Sequence, residues 1–137
     1  MTLAPISPLP SQPLLRLRLA PPVGGPRAID GAWWPRSYDL LTELPALLAG
    51  LPRAWGQIAS VVLNGAAWPP TPGRMIVAGR VVRLRRRRTA TAAHTVVLIA
   101  PGHGRWDLIV VPPDATGEAA EPIMARAARE RGNRHYA

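Results

Sequence analysis

Seven arginines fall between positions 74 and 88 (Arg74, Arg80, Arg83, Arg85, Arg86, Arg87 and Arg88), and no acidic residue lies among them. A guanidinium group suits phosphate or carboxylate because its planar fork donates two parallel hydrogen bonds. In an extended strand Arg83, Arg85 and Arg87 share one face, while Arg86 and Arg88 point the other way. Contact between several of these side chains and phosphates would make affinity fall steeply with salt. Binders of single-stranded nucleic acid usually interleave such charge with exposed aromatics, yet no aromatic lies between Trp68 and Trp106. The competing reading is a solvated hairpin tip whose charge guards a sheet edge against aggregation. Arg80, Arg83, Arg85, Arg86, Arg87 and Arg88 are therefore the expected anion-binding set. The partner they imply is nucleic acid or a phosphorylated ligand.

The segment Asp30-Gly31-Ala32-Trp33-Trp34-Pro35-Arg36-Ser37 is the other distinctive stretch. Adjacent residues of a strand face opposite ways, so Trp33 and Trp34 cannot both enter one core. One of them lines a groove on the first reading, with Asp30 and Arg36 supplying polar contacts. On the structural reading Trp33 plugs the core, Trp34 covers a helix end, Asp30 shapes a turn and Arg36 pairs with an acid. The expected ligand or partner groove is Asp30, Trp33, Trp34 and Arg36.

Enzyme chemistry finds little support. The chain has no cysteine, and all 17 of its basic residues are arginine. Thiol nucleophiles, Schiff-base lysines, P-loop lysines and Cys-based zinc sites are thereby excluded. His94, His103 and His135 are not at metal-ligand spacing. In the simplest hairpin register Ala100 faces Arg105, which keeps His94 away from Asp107 and disfavours a His–Asp dyad. No catalytic residue, metal or cofactor is expected, and the balance leans against an enzyme. A non-enzymatic binding or regulatory module is the leading expectation. The alternatives are a nucleic-acid-binding protein and a structural or oligomerisation protein without a ligand.

The formal charge of +9 needs the same local reading. Charged residues make up 18% of the chain, below the roughly 25% of an average domain, so acids are scarce rather than basic residues abundant. Outside the stretch from Arg74 to Arg88, ten arginines face eight acids. The high isoelectric point thus describes one segment. The first basic residue is Arg16, and the apolar runs are too short to span a bilayer. A cytoplasmic protein with no membrane partner is expected; its oligomeric state is not legible.

The elements that must position these residues follow from periodicity. Residues 1–13 hold four prolines and read as a disordered tail, residues 14–131 as a single domain, and residues 132–137 as a flexible C-terminal tail. Leu15-Arg16-Leu17-Arg18-Leu19 alternates strictly, as a half-buried strand does. After Ser37, a good N-cap, Leu40, Leu41, Leu44, Leu47, Leu48 and Leu51 recur at helical spacing, with Pro45 expected to kink or split the helix. Four strand-like runs follow: Trp55 to Leu63, Met75 to Arg85, Thr95 to Ala100 and Arg105 to Val111. The last two form a hairpin around Pro101-Gly102-His103-Gly104. A second helix is expected from about Thr116 to Gly132. Strands joined by short links pair antiparallel, so the expected fold is α+β, with a four- to five-stranded, mainly antiparallel sheet and both helices packed on one face.

The DGAWWPRS segment with its Leu-rich helix, together with the LIVVPPD run after the GRWD hairpin, resembles an uncharacterised actinobacterial domain-of-unknown-function family. Asp30, Gly31, Trp33, Trp34, Pro35, Arg36 and Ser37, with Asp107, Pro112, Pro113 and Asp114, carry the resemblance. It spans approximately Leu15 to Arg129, and it implies no activity.

Overall fold

The computed structural model describes residues 14–21, 29–65, 67–87 and 94–129. The two tails assigned from sequence and Arg88 lie outside the described residues. Among the described residues seven strands and two α-helices follow one another along the chain: β1 (Leu17–Leu19), β2 (Gly31–Trp33), α1 (Leu40–Ala49), β3 (Ser60–Asn64), β4 (Arg74–Val77), β5 (Arg80–Arg87), β6 (Thr95–Ala100), β7 (Gly104–Val110) and α2 (Gly117–Arg129). A single 3-10 turn, Arg53–Trp55, precedes β3.

All seven strands join one sheet in the order β1-β2-β7-β6-β3-β5-β4. Its ladders are mixed. β2 runs parallel to β7 and β3 parallel to β5, whereas β1·β2, β7·β6, β6·β3 and β5·β4 are antiparallel. This corrects the expected four- to five-stranded, mainly antiparallel sheet. Two short strands escaped the reading of periodicity. β2 is three residues long and buried throughout, so it shows no alternation. The run from Met75 to Arg85 is in fact a hairpin, because Ala78 and Gly79 both adopt positive φ (51° and 79°) and turn the chain by type I′ geometry. Asn-Gly or Asp-Gly would have announced that turn; Ala-Gly does not.

The helices lie on opposite faces, which corrects the expectation that both pack on one. Ala32 and Trp33 are neighbours in β2 and so face opposite ways. Trp33 belongs to the core beneath α1, with Leu40, Leu44 and Leu47. Ala32 belongs to the cluster beneath α2, with Val111, Ala120, Met124 and Ala127. Leu40, Leu44 and Leu47 recur at four- and three-residue intervals, giving α1 a single buried stripe. That stripe meets Val61 and Leu63 of β3, Val82 and Leu84 of β5, Val96 and Leu98 of β6, and Leu108 and Val110 of β7. Each fully buried aliphatic of this kind contributes about 1.5–3 kcal/mol. α1 runs through Pro45 without division and starts after Asp39, two residues later than the expected cap. Ser37 instead donates its hydroxyl to Glu43 Oε2 at 2.8 Å and accepts the Asp39 N–H.

α2 covers only the β1–β2 end of the second face, where Arg18 of β1 pairs with Glu121 at 2.8 Å. The rest of that face, from β6 across β3 and β5 to β4, is covered by no described element. This asymmetry places the candidate site.

Candidate functional site

Residue parity on β5 divides the arginines into two groups. Val82 and Leu84 are buried under α1, so Arg80 and Arg86 share their side of the sheet. Val81, Arg83, Arg85 and Arg87 point to the open face. β4 adds Arg74 and Ile76 to that same face, because the ladder sets Arg74 opposite Arg83 and Ile76 opposite Val81. Of the six arginines expected as an anion-binding set, Arg83, Arg85 and Arg87 thus share the open face, Arg80 and Arg86 lie on the other, and Arg88 is outside the described residues; Arg74 takes a place the sequence did not assign to it. The missing signal was the Ala78–Gly79 turn, which folds β4 back onto β5.

Arg86 is committed to structure. Its guanidinium donates to the carbonyls of Gly65, Trp68 and Pro69 at 3.0, 2.9 and 2.9 Å. These bonds fasten the loop that carries the chain from β3 past β5 to the sheet edge. Arg80 is exposed at the hairpin end of β5.

Arg74, Arg83, Arg85 and Arg87 are all exposed, and among the described residues none of their guanidinium groups makes an ion pair or hydrogen bond. Arg83, Arg85 and Arg87 repeat at about 6.7 Å along the strand, twice the rise per residue. Arg74 and Arg83 stand directly opposite each other, and like charges so placed repel. No acidic residue occurs between Glu43 and Asp107, so β3, β4, β5 and β6 contain none at all. On the same face of β7, two strands beyond β3, stands the carboxylate of Asp107, which is held by Arg105 of the same strand at 3.2 Å. That hydrogen bond and charge raise the Arg105 pKa above its ordinary value. Apolar residues accompany the charges: Ile76 is 63% exposed and Val81 51% exposed. The face is thus a row of unneutralised guanidinium groups beside an aliphatic pair.

The Asp30–Ser37 segment has the opposite character. Trp33 is fully buried and stacks on Trp68 at 5.9 Å between ring centroids. Asp30 binds β7 twice: its N–H donates to the Asp107 carbonyl, and its Oδ2 accepts the Asp107 N–H, at 2.8 and 2.9 Å. Gly31 is required for the close approach of β1, since a Cβ there would run into the Arg18 carbonyl. Trp34 turns to the α2 side and carries the Arg16 guanidinium 3.7 Å above its ring centroid. Arg16 also donates to the carbonyls of Trp34 and Pro35 at 3.1 and 3.2 Å. Burial and the charge of Arg36 lower the Arg16 pKa, against the opposing pull of Glu43. Arg36 donates to the Leu14 carbonyl at 2.6 Å, and its own N–H donates to Glu43.

A groove of about 480 Å³ lies between this segment and α1, lined by Arg16, Trp33, Trp34, Arg36 and Glu43 among others. Asp30 is not part of its lining. The indole N–H of Trp34 is buried with no acceptor among the described residues. Among the described residues, no group of three or more His, Asp or Glu side chains could hold a metal. In the hairpin Ala100 faces Gly104, one residue from the simplest register, and Asp107 faces Val97. No described helix is long and apolar enough to cross a membrane.

The model of a family of unknown function (DUF5994) matches residues 16–127. No curated protein and no solved structure matches the chain.

Proposed function

The chain belongs to that family of unknown function, and from its geometry we propose that it is a binding module whose open sheet face takes an anionic partner. One observation carries the reading. Arg74, Arg83, Arg85 and Arg87 converge on a single exposed face that holds no counter-charge on β3, β4, β5 or β6. A charge row of this kind raises the local concentration of anions and speeds their encounter. Each guanidinium retains its full set of donors for a bidentate contact with phosphate or carboxylate. The DGAWWPRS segment serves on this reading as the clamp that joins β1, β2 and β7 and sets the sheet.

The test is anisotropy of labelled single-stranded DNA, RNA and polyglutamate, titrated with the protein across a salt series. Four arginines meeting phosphates of a single strand give a slope of log K against log salt of about −2.8. Replacing Arg83, Arg85 and Arg87 together by serine flattens that slope to about −0.7, leaving Arg74 alone. Absence of binding to every polyanion at low salt rejects the proposal.

The 480 Å³ groove favours a second, separate reading, in which a small ligand bearing a hydrogen-bond acceptor lodges beside Arg16 and Arg36. A ligand screen read by tryptophan fluorescence tests it, with Trp34→Phe expected to remove the response.

A further inference from the structure

The hydrogen-bond phase of the β4·β5 ladder decides which backbone groups of β4 are free. Leu84 donates its N–H to the Gly73 carbonyl at 2.9 Å, which makes positions 73 and 84 a hydrogen-bonded pair. In an antiparallel ladder such pairs alternate with non-bonded ones. Met75 with Val82 and Val77 with Arg80 are therefore also bonded pairs. Arg74 and Ile76 fall between them, and their N–H and C=O groups point outward, away from β5. β4 is the last strand of the sheet, and no described residue pairs with its outer side. The two residues with outward backbone groups are also the two whose side chains stand on the open face.

We propose that this edge receives an extended acidic segment of a partner protein as an added strand. The inference rests on the reading of the arginine face as an anion site and names the partner for it. Residues directly opposite across a ladder put their side chains on the same face. The incoming strand thus sets a carboxylate beside Arg74 and Arg83, and an aliphatic side chain two residues away beside Ile76 and Val81. The recognised pattern is acid, any residue, aliphatic. Backbone bonds to Arg74 and Ile76 give affinity, and the alternate side chains give selectivity.

Two other occupants fit less well. A nucleic acid would find aliphatic Ile76 and Val81 where stacking needs aromatic rings, since β3, β4, β5 and β6 contain no aromatic residue. It also has no use for a row of backbone donors and acceptors at strand spacing. A second copy paired edge to edge would bring another Arg74 and Arg83 against the first, doubling like charge where neither copy has an acid.

Ile76→Pro is the discriminating variant. It deletes one outward N–H and the exposed Ile76 side-chain contact without removing a ladder bond, and proline is tolerated on an edge strand at such a position. The probe is a labelled short peptide with glutamate and valine at alternating second positions and threonine between. Wild-type protein binds it at low salt, and Ile76→Pro weakens binding about tenfold while the thermal midpoint moves by only a few degrees. Amide hydrogen exchange of the wild type provides a second readout: the Arg74 and Ile76 amides gain protection when the peptide is bound. Peptide binding that is unchanged by Ile76→Pro, with those amides unprotected, overturns the added strand. Single-stranded DNA bound through Arg83 and Arg85, with no peptide binding, overturns the inference and leaves the anion-binding proposal intact. Failure of peptide and DNA alike removes both. Should Ile76→Pro not fold, the exchange experiment decides alone.

Discussion

The Asp30–Ser37 segment and the β4–β5 hairpin treat the arginines around them in opposite ways. In the first, every arginine that lies nearby is occupied. Arg16 sits on the Trp34 ring and holds two carbonyls, Arg36 holds the Leu14 carbonyl, and Arg18 pairs with Glu121. In the second, Arg74, Arg83, Arg85 and Arg87 face solvent with no acid on their own or the neighbouring strands. The difference teaches that an arginine's role follows from whether its donors are already spent. Arg85 and Arg86 make the point within one strand: they are adjacent in sequence, yet only Arg86 is bound to protein carbonyls.

The comparison can be broken by substitution. The largest effect is expected at Trp33, where Trp33→Ala should cost roughly 3–5 kcal/mol because a stacked, fully buried ring is lost. Urea unfolding measures this, and a cost below about 1 kcal/mol would mean that the segment does not hold the core. Arg86→Ser comes next. Its loss leaves the Gly65, Trp68 and Pro69 carbonyls without their donor and should cost about 1.5–3 kcal/mol, the range for hydrogen bonds to a charged group. Arg16→Met should cost about 1 kcal/mol, since it removes the cation from the Trp34 ring while keeping part of the apolar stem. Smallest in stability is Arg85→Ser, expected within about 0.5 kcal/mol of wild type. Its effect belongs instead to binding, where one lost phosphate contact lowers the salt slope by about 0.7. The pair Arg85→Ser and Arg86→Ser is the sharpest comparison. If both destabilise equally, the division of β5 into a structural and a free face fails.

Much of this was legible from residue order. The strict alternation of Leu17, Arg18 and Leu19 marks β1, the leucine spacing marks α1, and the run from Thr95 to Val111 marks the β6–β7 hairpin. Strand parity alone separates Arg83, Arg85 and Arg87 from Arg86. The sheet's order and direction were not legible. β2 is too short and too uniformly buried to show a period, and its partner β7 lies more than seventy residues further along the chain. Nothing local to either strand says that they run parallel.

What the sequence determined by itself is the supply of chemistry: no lysine or cysteine, a cluster of arginines, and no acid from Leu44 to Trp106. Those are properties of composition and order, and folding cannot alter them. What only the tertiary structure decided is which of those charges remain available. Arg86 is spent because a loop from β3 passes within its reach, whereas Arg74 joins Arg83 because a two-residue turn reverses the chain. α2 shields the β1–β2 end of the second face and leaves the β4–β5 end open. Each outcome depends on contacts between residues distant in sequence, and such contacts are fixed by the burial of the whole core rather than by any local pattern.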